Sequence, residues 1–587
     1  MKSFFKYLLA SILGVLISGF IMIIILLGIF SAMVSFSEKP EVVRDKSILI
    51  LPLEEMIVER SEKNLYADLL FSEFSGSKKL GLDDILKAIE RAKNDEKIRG
   101  IYLTPSIINA GYATTEEIRR ALLDFKESGK FIYAYAENVS QKAYYLISAA
   151  DSIMLNPQGA IEFVGIASQS MFFKDALEKL GVEIQVIRHG KFKAAVEPFT
   201  LNGMSEENRL QTKTYISSIW NKLLADISAQ RRISVEELNR LADDLISLKK
   251  ADVMKDAGLV DALKYKDEVL ADLKRLTYIE EKDDLRAITV EKYLKSPVKT
   301  QGKGLARDKI AVIYASGEID MNASGIDSEK LSQSIRKARR DSTIKAIVLR
   351  INSPGGSAYG SEIIWREVKL ASDVKPVIAS MGDMAASGGY YIAAAADTII
   401  TNHTTITGSI GVFGILPNAQ KLLNDKLGIT VDGVKTNAYS DMPSIDRRMT
   451  DFERASIQQF VENTYDTFLE RVADGRKMTK VQVDELGQGR VWSGENGNNM
   501  GLTDLYGGVN DAVKMAAEIC NLEHYRVVQL PEIEDPLEKF LKEIGAQAQM
   551  RIALKELGPH YKMFQTFKTI TESRGIMARL PYYLEIN

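Results

Sequence analysis

Cysteine is almost absent from this chain of 587 residues: Cys520 stands alone, so no intrachain disulfide can form. A lone thiol cannot build a zinc cage, and the four histidines, His189, His403, His524 and His560, are scattered without metal-ligand spacing. These absences argue against a metal enzyme, and no cofactor is expected. Excess charge of either sign is missing too. With 76 Lys and Arg against 79 Asp and Glu the net charge is −3, which leaves no basic field to hold nucleic acid. Beyond the N-terminus no second long apolar run occurs, so the remainder is expected to form one water-exposed body. Its length calls for more than one hydrophobic core.

What is present begins at the N-terminus. The run LLASILGVLISGFIMIIILLGIF lies within a stretch from Tyr7 to Phe36 that carries no charge. A helix rises about 1.5 Å per residue, so roughly 20 such residues cross a hydrocarbon core. A cleavable signal has an apolar region of only about 7–15 residues and a small-x-small site, for which Ser31-Ala32-Met33 is a poor match. An uncleaved anchor over residues 8–36 is expected. Lys2 and Lys6 keep residues 1–7 in the cytoplasm and place the body on the other side.

The body reads as alternating apolar strands and amphipathic helices, an α/β pattern, and it repeats itself. LDDILKAIERAKNDEKIRGIYL, ending at Leu103, resembles EKLSQSIRKARRDSTIKAIVL, ending at Leu349. AYYLISAADSIMLNP lies over GYYIAAAADTIITNH without a gap, and Leu103/Leu349, Asp151/Asp397 and Asn156/Asn402 are all 246 residues apart. Two copies of one unit follow, over 45–290 and 308–530, joined by a polar linker at 291–307. A helix-like, charged tail occupies 531–587.

Copy two carries two glycine-rich loops that copy one lacks. Asn352-Ser353-Pro354-Gly355-Gly356-Ser357 follows an apolar strand, and its unobstructed N–H groups suit a developing oxyanion. Ala386-Ser387-Gly388-Gly389 joins a strand to a helix, as a nucleophile turn does. Opposite Ser387 copy one has Gln141, and opposite Gly355 and Gly356 it has Asn109 and Ala110. A serine needs a base. His403 lies opposite Pro157 with no clear carboxylate partner, and a lysine serves only if its pKa falls toward roughly 7–8. Spacing alone does not choose between them.

NSPGGS (352–357), MGDMAASGGYY (381–391), TGSIGVFG (407–414) and GKFKAAVEPF (190–199) together resemble the long, two-repeat form of the signal peptide peptidase A family. The resemblance implies tandem domains related to crotonases and the Clp protease subunit, and a Ser/Lys dyad. Carried over motif by motif, Ser387 is the nucleophile, Lys193 the base and Ser409 the residue that orients the lysine. Gly388 and one glycine of the pair Gly355 and Gly356 form the oxyanion hole. Lys193 falls opposite Ser440 at an offset of 247, so base and nucleophile sit on different copies. Lys191 is a rival, since alternate residues of a strand share a face. His189 and Glu197 are read as neighbours only, with Pro198 ending the segment. The resemblance further implies cleaved signal peptides as substrates, a homo-oligomer, plausibly a tetramer, and a catalytic body on the periplasmic side of the bacterial cytoplasmic membrane. A non-catalytic peptide-binding scaffold and an acyl-CoA enzyme of the crotonase type are the competing readings.

Overall fold

The computed structural model describes residues 42–61, 79–297, 306–320, 325–532 and 577–579, with 4, 6–7, 10–22 and 25 near the N-terminus. The repeat is visible as two sheets in which six matching strands run parallel in one order, copy two adding Ile406–Gly408 and, antiparallel to it, Val491–Ser493. In copy one the order is Ala287–Thr289, Ser47–Leu51, Ile98–Leu103, Phe131–Val139, Ser152–Ile161, Ala262–Leu263. In copy two Arg526–Leu530, Lys309–Ser316, Ile344–Ser353, Val377–Ala386, Thr398–Thr401 and Leu505–Tyr506 take the same places. The central strands are near-continuous apolar runs such as KIAVIYAS, which suits strands buried on both faces.

Between strands, helices such as Leu82–Asn94 and its counterpart Ser328–Arg340 lay one apolar stripe on the sheet: Ile85, Leu86 and Ile89 in the first, Leu331 and Ile335 in the second. The larger core is continuous across the copies, joining Leu86, Ile89 and Ile118 of copy one to Val312, Val348, Ile378 and Ile400 of copy two. A third sheet is built from both copies. It runs Ile326–Asp327, Ile319–Asp320, Gly355–Ser357, Met577–Arg579, Phe413–Asn418, Glu183–Arg188.

Val290–Lys295, in the stretch read as linker, is helical and buries Val290 and Tyr293. Of the C-terminal tail, residues 531–532 and 577–579 are described, the latter as a strand in the extended ending; the rest of 531–587, where the helix-like stretch is expected, lies outside the described residues. Residues 10–22 are helical and exposed. Among the described residues no helix is long and apolar enough to cross a membrane. Much of the anchor expected over 8–36 lies outside them.

Candidate active site

Ser387 follows the strand Val377–Ala386 and precedes the helix Gly388–Ala393, at φ 54° and ψ −115°. A positive φ on a serine is strained and needs support from its surroundings. The Ser387 N–H supplies some by donating to the Gly408 carbonyl at 2.8 Å. The helix begins hard against the neighbouring loop: a Cβ on Gly389 would lie 2.6 Å from the Ser353 carbonyl oxygen. Ser387 is thereby fixed at a sharp corner, fully buried.

Lys193 arrives from the other copy. The copy-one strand Glu183–Arg188 pairs antiparallel with Phe413–Asn418 of copy two, which carries the chain across the joint. The strand ends at Arg188, Phe192 N–H donates to the Gln488 carbonyl at 3.0 Å, and Lys193 starts a short 3-10 turn. Two glycines let the backbones meet: a Cβ on Gly190 would strike Gln488, and one on Gly489 would lie 2.6 Å from Lys193 Cβ. Because residues 189–193 are not a strand, Lys191 does not share the face of Lys193; it is exposed.

Lys193 Nζ lies 2.9 Å from Ser387 Oγ, 3.0 Å from Ser409 Oγ and 3.2 Å from the Ser409 carbonyl oxygen. The lysine is wholly buried, and desolvation alone holds its amine well below the usual range. A neutral amine in this position can accept the serine proton while its own N–H groups donate to Ser409. Removing one such bond is worth about 1 kcal/mol. Ser409→Ala is therefore expected to lower kcat roughly 5- to 10-fold, which steady-state peptide hydrolysis reads directly.

The glycines expected to hold the oxyanion stand in the loop beside Ser387. Gly355 and Gly356 have φ of 97° and 157°, and the Gly355 N–H donates to Ser353 Oγ at 3.2 Å. The N–H of Gly388, in the first turn of its helix, finds no hydrogen-bond partner among the described residues. Of the donors named from sequence the Gly388 N–H is thus the better placed, while Gly356 pairs with Ile319 and faces Ala578 of the chain's own C-terminal segment. Along Gly355–Ser357 the chain's own segment Met577–Arg579 lies antiparallel, with Met577 also opposite Phe413. A peptide backbone therefore fits the edge of the oxyanion turn.

His403 does not enter the site. Its Nδ1 lies 2.7 Å from Glu116 Oε1 and its ring stacks on Tyr506, so it ties the copies together elsewhere. His189 and Glu197 are neighbours of the lysine segment. The first pairs with Glu462, and the second accepts from Ser205 and Asn208. Copy one has closed its own counterpart of the site. Gln141, opposite Ser387, accepts the N–H groups of Val164 and Gly165 on its Oε1. Sequence reasoning quoted Gly190 only as the first residue of GKFKAAVEPF and missed Gly489, which no motif marks; both serve to admit another backbone. Among the described residues no cluster of His, Cys, Asp or Glu could hold a metal ion.

The arrangement sets a serine hydroxyl beside a buried amine that can accept its proton. The model of peptidase family S49 matches residues 124–280 and 369–523, once in each copy. "Protease 4" of Salmonella typhi is 36% identical over 82% of this chain and 80% of its own. "Protease 4" of Haemophilus influenzae is 33% identical over 88% and 86%, and "Serine protease SPPA, chloroplastic" of Arabidopsis thaliana 33% over 92% and 78%. The chain belongs to peptidase family S49 and is a serine protease built from two repeats of one unit.

Proposed function

We propose that this chain is a membrane-anchored endopeptidase that degrades cleaved signal peptides and other hydrophobic peptides with a Ser387/Lys193 dyad. The 2.9 Å approach of Lys193 Nζ to Ser387 Oγ, in a site where burial favours the neutral amine, carries this reading. Lys193 takes the hydroxyl proton as Ser387 Oγ attacks the peptide carbonyl carbon. The N–H groups of Gly388 and Gly356 receive the oxyanion, each donor contributing about 10²–10³ in rate. The intermediate expels the amine, which takes its proton from Lys193, and leaves an acyl-enzyme. Water, deprotonated by the same lysine, then releases the acid. The uncharged N-terminal run supports anchoring beside the bilayer, where spent signal peptides remain.

The test is hydrolysis of a fluorogenic hydrophobic peptide together with intact-mass analysis after a sulfonyl fluoride. Peptide cleavage and a single adduct mapped to Ser387 are expected. No cleavage and no adduct would make the peptide-binding scaffold the better reading. Because Met577–Arg579 lies on the edge where a substrate would pair, a chain ending at Glu532 is expected to have a KM several-fold lower. An unchanged KM means that the segment does not compete.

The joint between the copies supports self-assembly. In copy two, Ile410 and Val412 are fully buried beneath the copy-one segment that ends at Lys193. Of their counterparts at an offset of 246, Val164 is 48% exposed and Ile166 is only half-buried. At the offset of 247 that holds after Gly181, the counterpart of Glu183–Arg188 is 430–435, and every residue from 424 to 440 is exposed, Ile429, Val431 and Val434 among them. One chain thus carries an uncovered donor and an uncovered acceptor of the same joint, the requirement for head-to-tail homo-oligomers. Ile184 pairs with Pro417, so Val431 of one chain should face Met171 of the next. In a Cys520→Ser background, chains bearing Val431→Cys or Met171→Cys are expected to cross-link when mixed, and neither alone. A strictly monomeric sedimentation profile overturns the assembly.

A further inference from the structure

Behind the oxyanion turn the copies share a buried cluster of charge that the dyad does not use. Arg350, in the strand leading to that turn, is fully buried; its Nε donates to Glu59 Oε2 at 2.7 Å and its Nη1 lies 2.7 Å from Glu117 Oε1. Both carboxylates come from copy one. Arg350 Nη1 also donates to Ser380 Oγ at 3.0 Å and to the Met381 carbonyl at 3.2 Å, in the strand that carries the nucleophile. Glu59 has a second partner: its Oε1 accepts from Asn352 Nδ2 at 2.7 Å. The other end of that amide, Oδ1, accepts the Met384 N–H at 3.1 Å.

Asn352 immediately precedes the turn Ser353-Pro354-Gly355-Gly356, and Met384 lies shortly before Ser387 in the nucleophile strand. This link falls where the pairing between the two strands breaks. Ile351 faces Met381 and Ser353 faces Ala385, so Gly382, Asp383 and Met384 bulge opposite Asn352. Copy one grips the bulge at every residue. A Cβ on Gly382 would lie 2.6 Å from Glu59 Oε1. Asp383 accepts the N–H of Gly111 at 3.2 Å and both the N–H and the hydroxyl of Thr114 at 2.8 Å, at the start of the helix Tyr112–Lys126. Met384 is held through Asn352 and Glu59.

The repeat supplies a control. At the offset of 246, Arg350, Asn352, Gly382 and Asp383 fall opposite Thr104, Ser106, Ala136 and Glu137. The copy without a nucleophile therefore lacks the guanidinium, the amide and the glycine. Stability alone is a weak reason for such a cluster, since well-packed apolar residues commonly replace a buried ion pair at no loss. Its value lies in geometry, because a displacement of about 1 Å in a catalytic group costs on the order of 10²-fold in rate.

We propose that Glu59 is a positioning residue for the hydrolytic reaction: through Asn352 it locks the bulge before Ser387 to the turn bearing Gly355 and Gly356. Copy one then supplies the aim of the site as well as its base. The inference rests on Ser387 being the nucleophile, which the contrast between wild type and Ser387→Ala tests separately. The experiment exchanges the two ends of the Glu59–Asn352 hydrogen bond. Glu59→Gln sets two amides against each other and removes a buried charge. In Glu59→Gln/Asn352→Asp the amide and the carboxylate trade places, the buried charge is restored, and an oxygen at position 352 still accepts the Met384 N–H.

Toward a fluorogenic peptide, Glu59→Gln is expected to lose about 30-fold in kcat with KM held within twofold. The double variant should recover to within about threefold of wild type. A Glu59→Gln enzyme with wild-type kcat overturns the proposal. So does a folded double variant no faster than Glu59→Gln. If Glu59→Gln fails to fold by circular dichroism, Asn352→Ser, which installs the residue type of the matching place in copy one, carries the test. It must lower kcat and spare KM, and an unaltered kcat there also overturns the proposal.

Discussion

Lys193→Met is expected to abolish peptide hydrolysis, lowering kcat by about 10⁴-fold or more, and at the same time to raise thermal stability near neutral pH. Methionine fills a similar volume without the amine, so the space beside Ser387 Oγ stays packed while the proton acceptor is gone. Ser387→Ala should cost as much, and the double variant no more than either, because the two groups act as one unit. The stability gain comes from the same burial that tunes the base. Folded Lys193 has a depressed pKa for want of solvent, whereas in the unfolded chain it titrates near 10.4. Between those two values the unfolded chain binds the extra proton, so the lysine's contribution to stability improves as pH rises through that window. Below the folded pKa the buried charge bears its full desolvation cost. The melting advantage of Lys193→Met should therefore be largest at the acid end and close as pH approaches 10.4, which calorimetry across pH measures. Wild-type kcat/KM should rise about tenfold per pH unit up to the depressed lysine pKa and level off above it. A Lys193→Met enzyme within tenfold of wild type would falsify the dyad.

Much of this was legible in the sequence because the chain contains its own comparison. The constant offset from Leu103/Leu349 to Asn156/Asn402 pairs the strands, and those strands occupy matching places in the two sheets. The turn around Ser387 was legible for a local reason: a serine between a buried strand and Gly388-Gly389 is a geometry that glycine makes possible. Spacing did not choose the base. Lys193 reaches Ser387 across 194 positions of sequence because Glu183–Arg188 pairs with Phe413–Asn418, and periodicity within either segment says nothing of that pairing. The motif resemblance named the lysine but not its backbone, and the strand assumed for Lys191 and Lys193 ends at Arg188. The Glu59–Arg350 contact was invisible for the same reason. A lone glutamate after a short apolar run gives no sign of a guanidinium 291 positions later.

The glycine turn allows a second large effect to be foreseen. Gly356→Ala is expected to lower kcat by about 10²–10³-fold, with KM nearly unchanged. At φ 157° an L-residue is strained by roughly 1–3 kcal/mol. The added Cβ would also strike the backbone of Ile319, meeting its carbonyl oxygen well inside van der Waals contact and its nitrogen at 2.7 Å. A side chain in the way rotates aside, but a strand backbone does not, so the turn itself must move and carry its N–H away from the oxyanion. Gly203→Ala is the matched control, since nothing lies within 4 Å of a Cβ there and the residue is exposed. It should leave both constants at their wild-type values. The division of the loss identifies the role of the glycine. An oxyanion donor stabilises charge that exists only in the transition state, so its displacement falls on kcat. A glycine needed only to let a substrate strand lie along Gly355–Ser357, where Met577–Arg579 lies now, would put the loss on KM. Should Gly356→Ala raise KM and spare kcat, the oxyanion would have to be held by the Gly388 N–H without it, and the turn would be a peptide-binding edge alone.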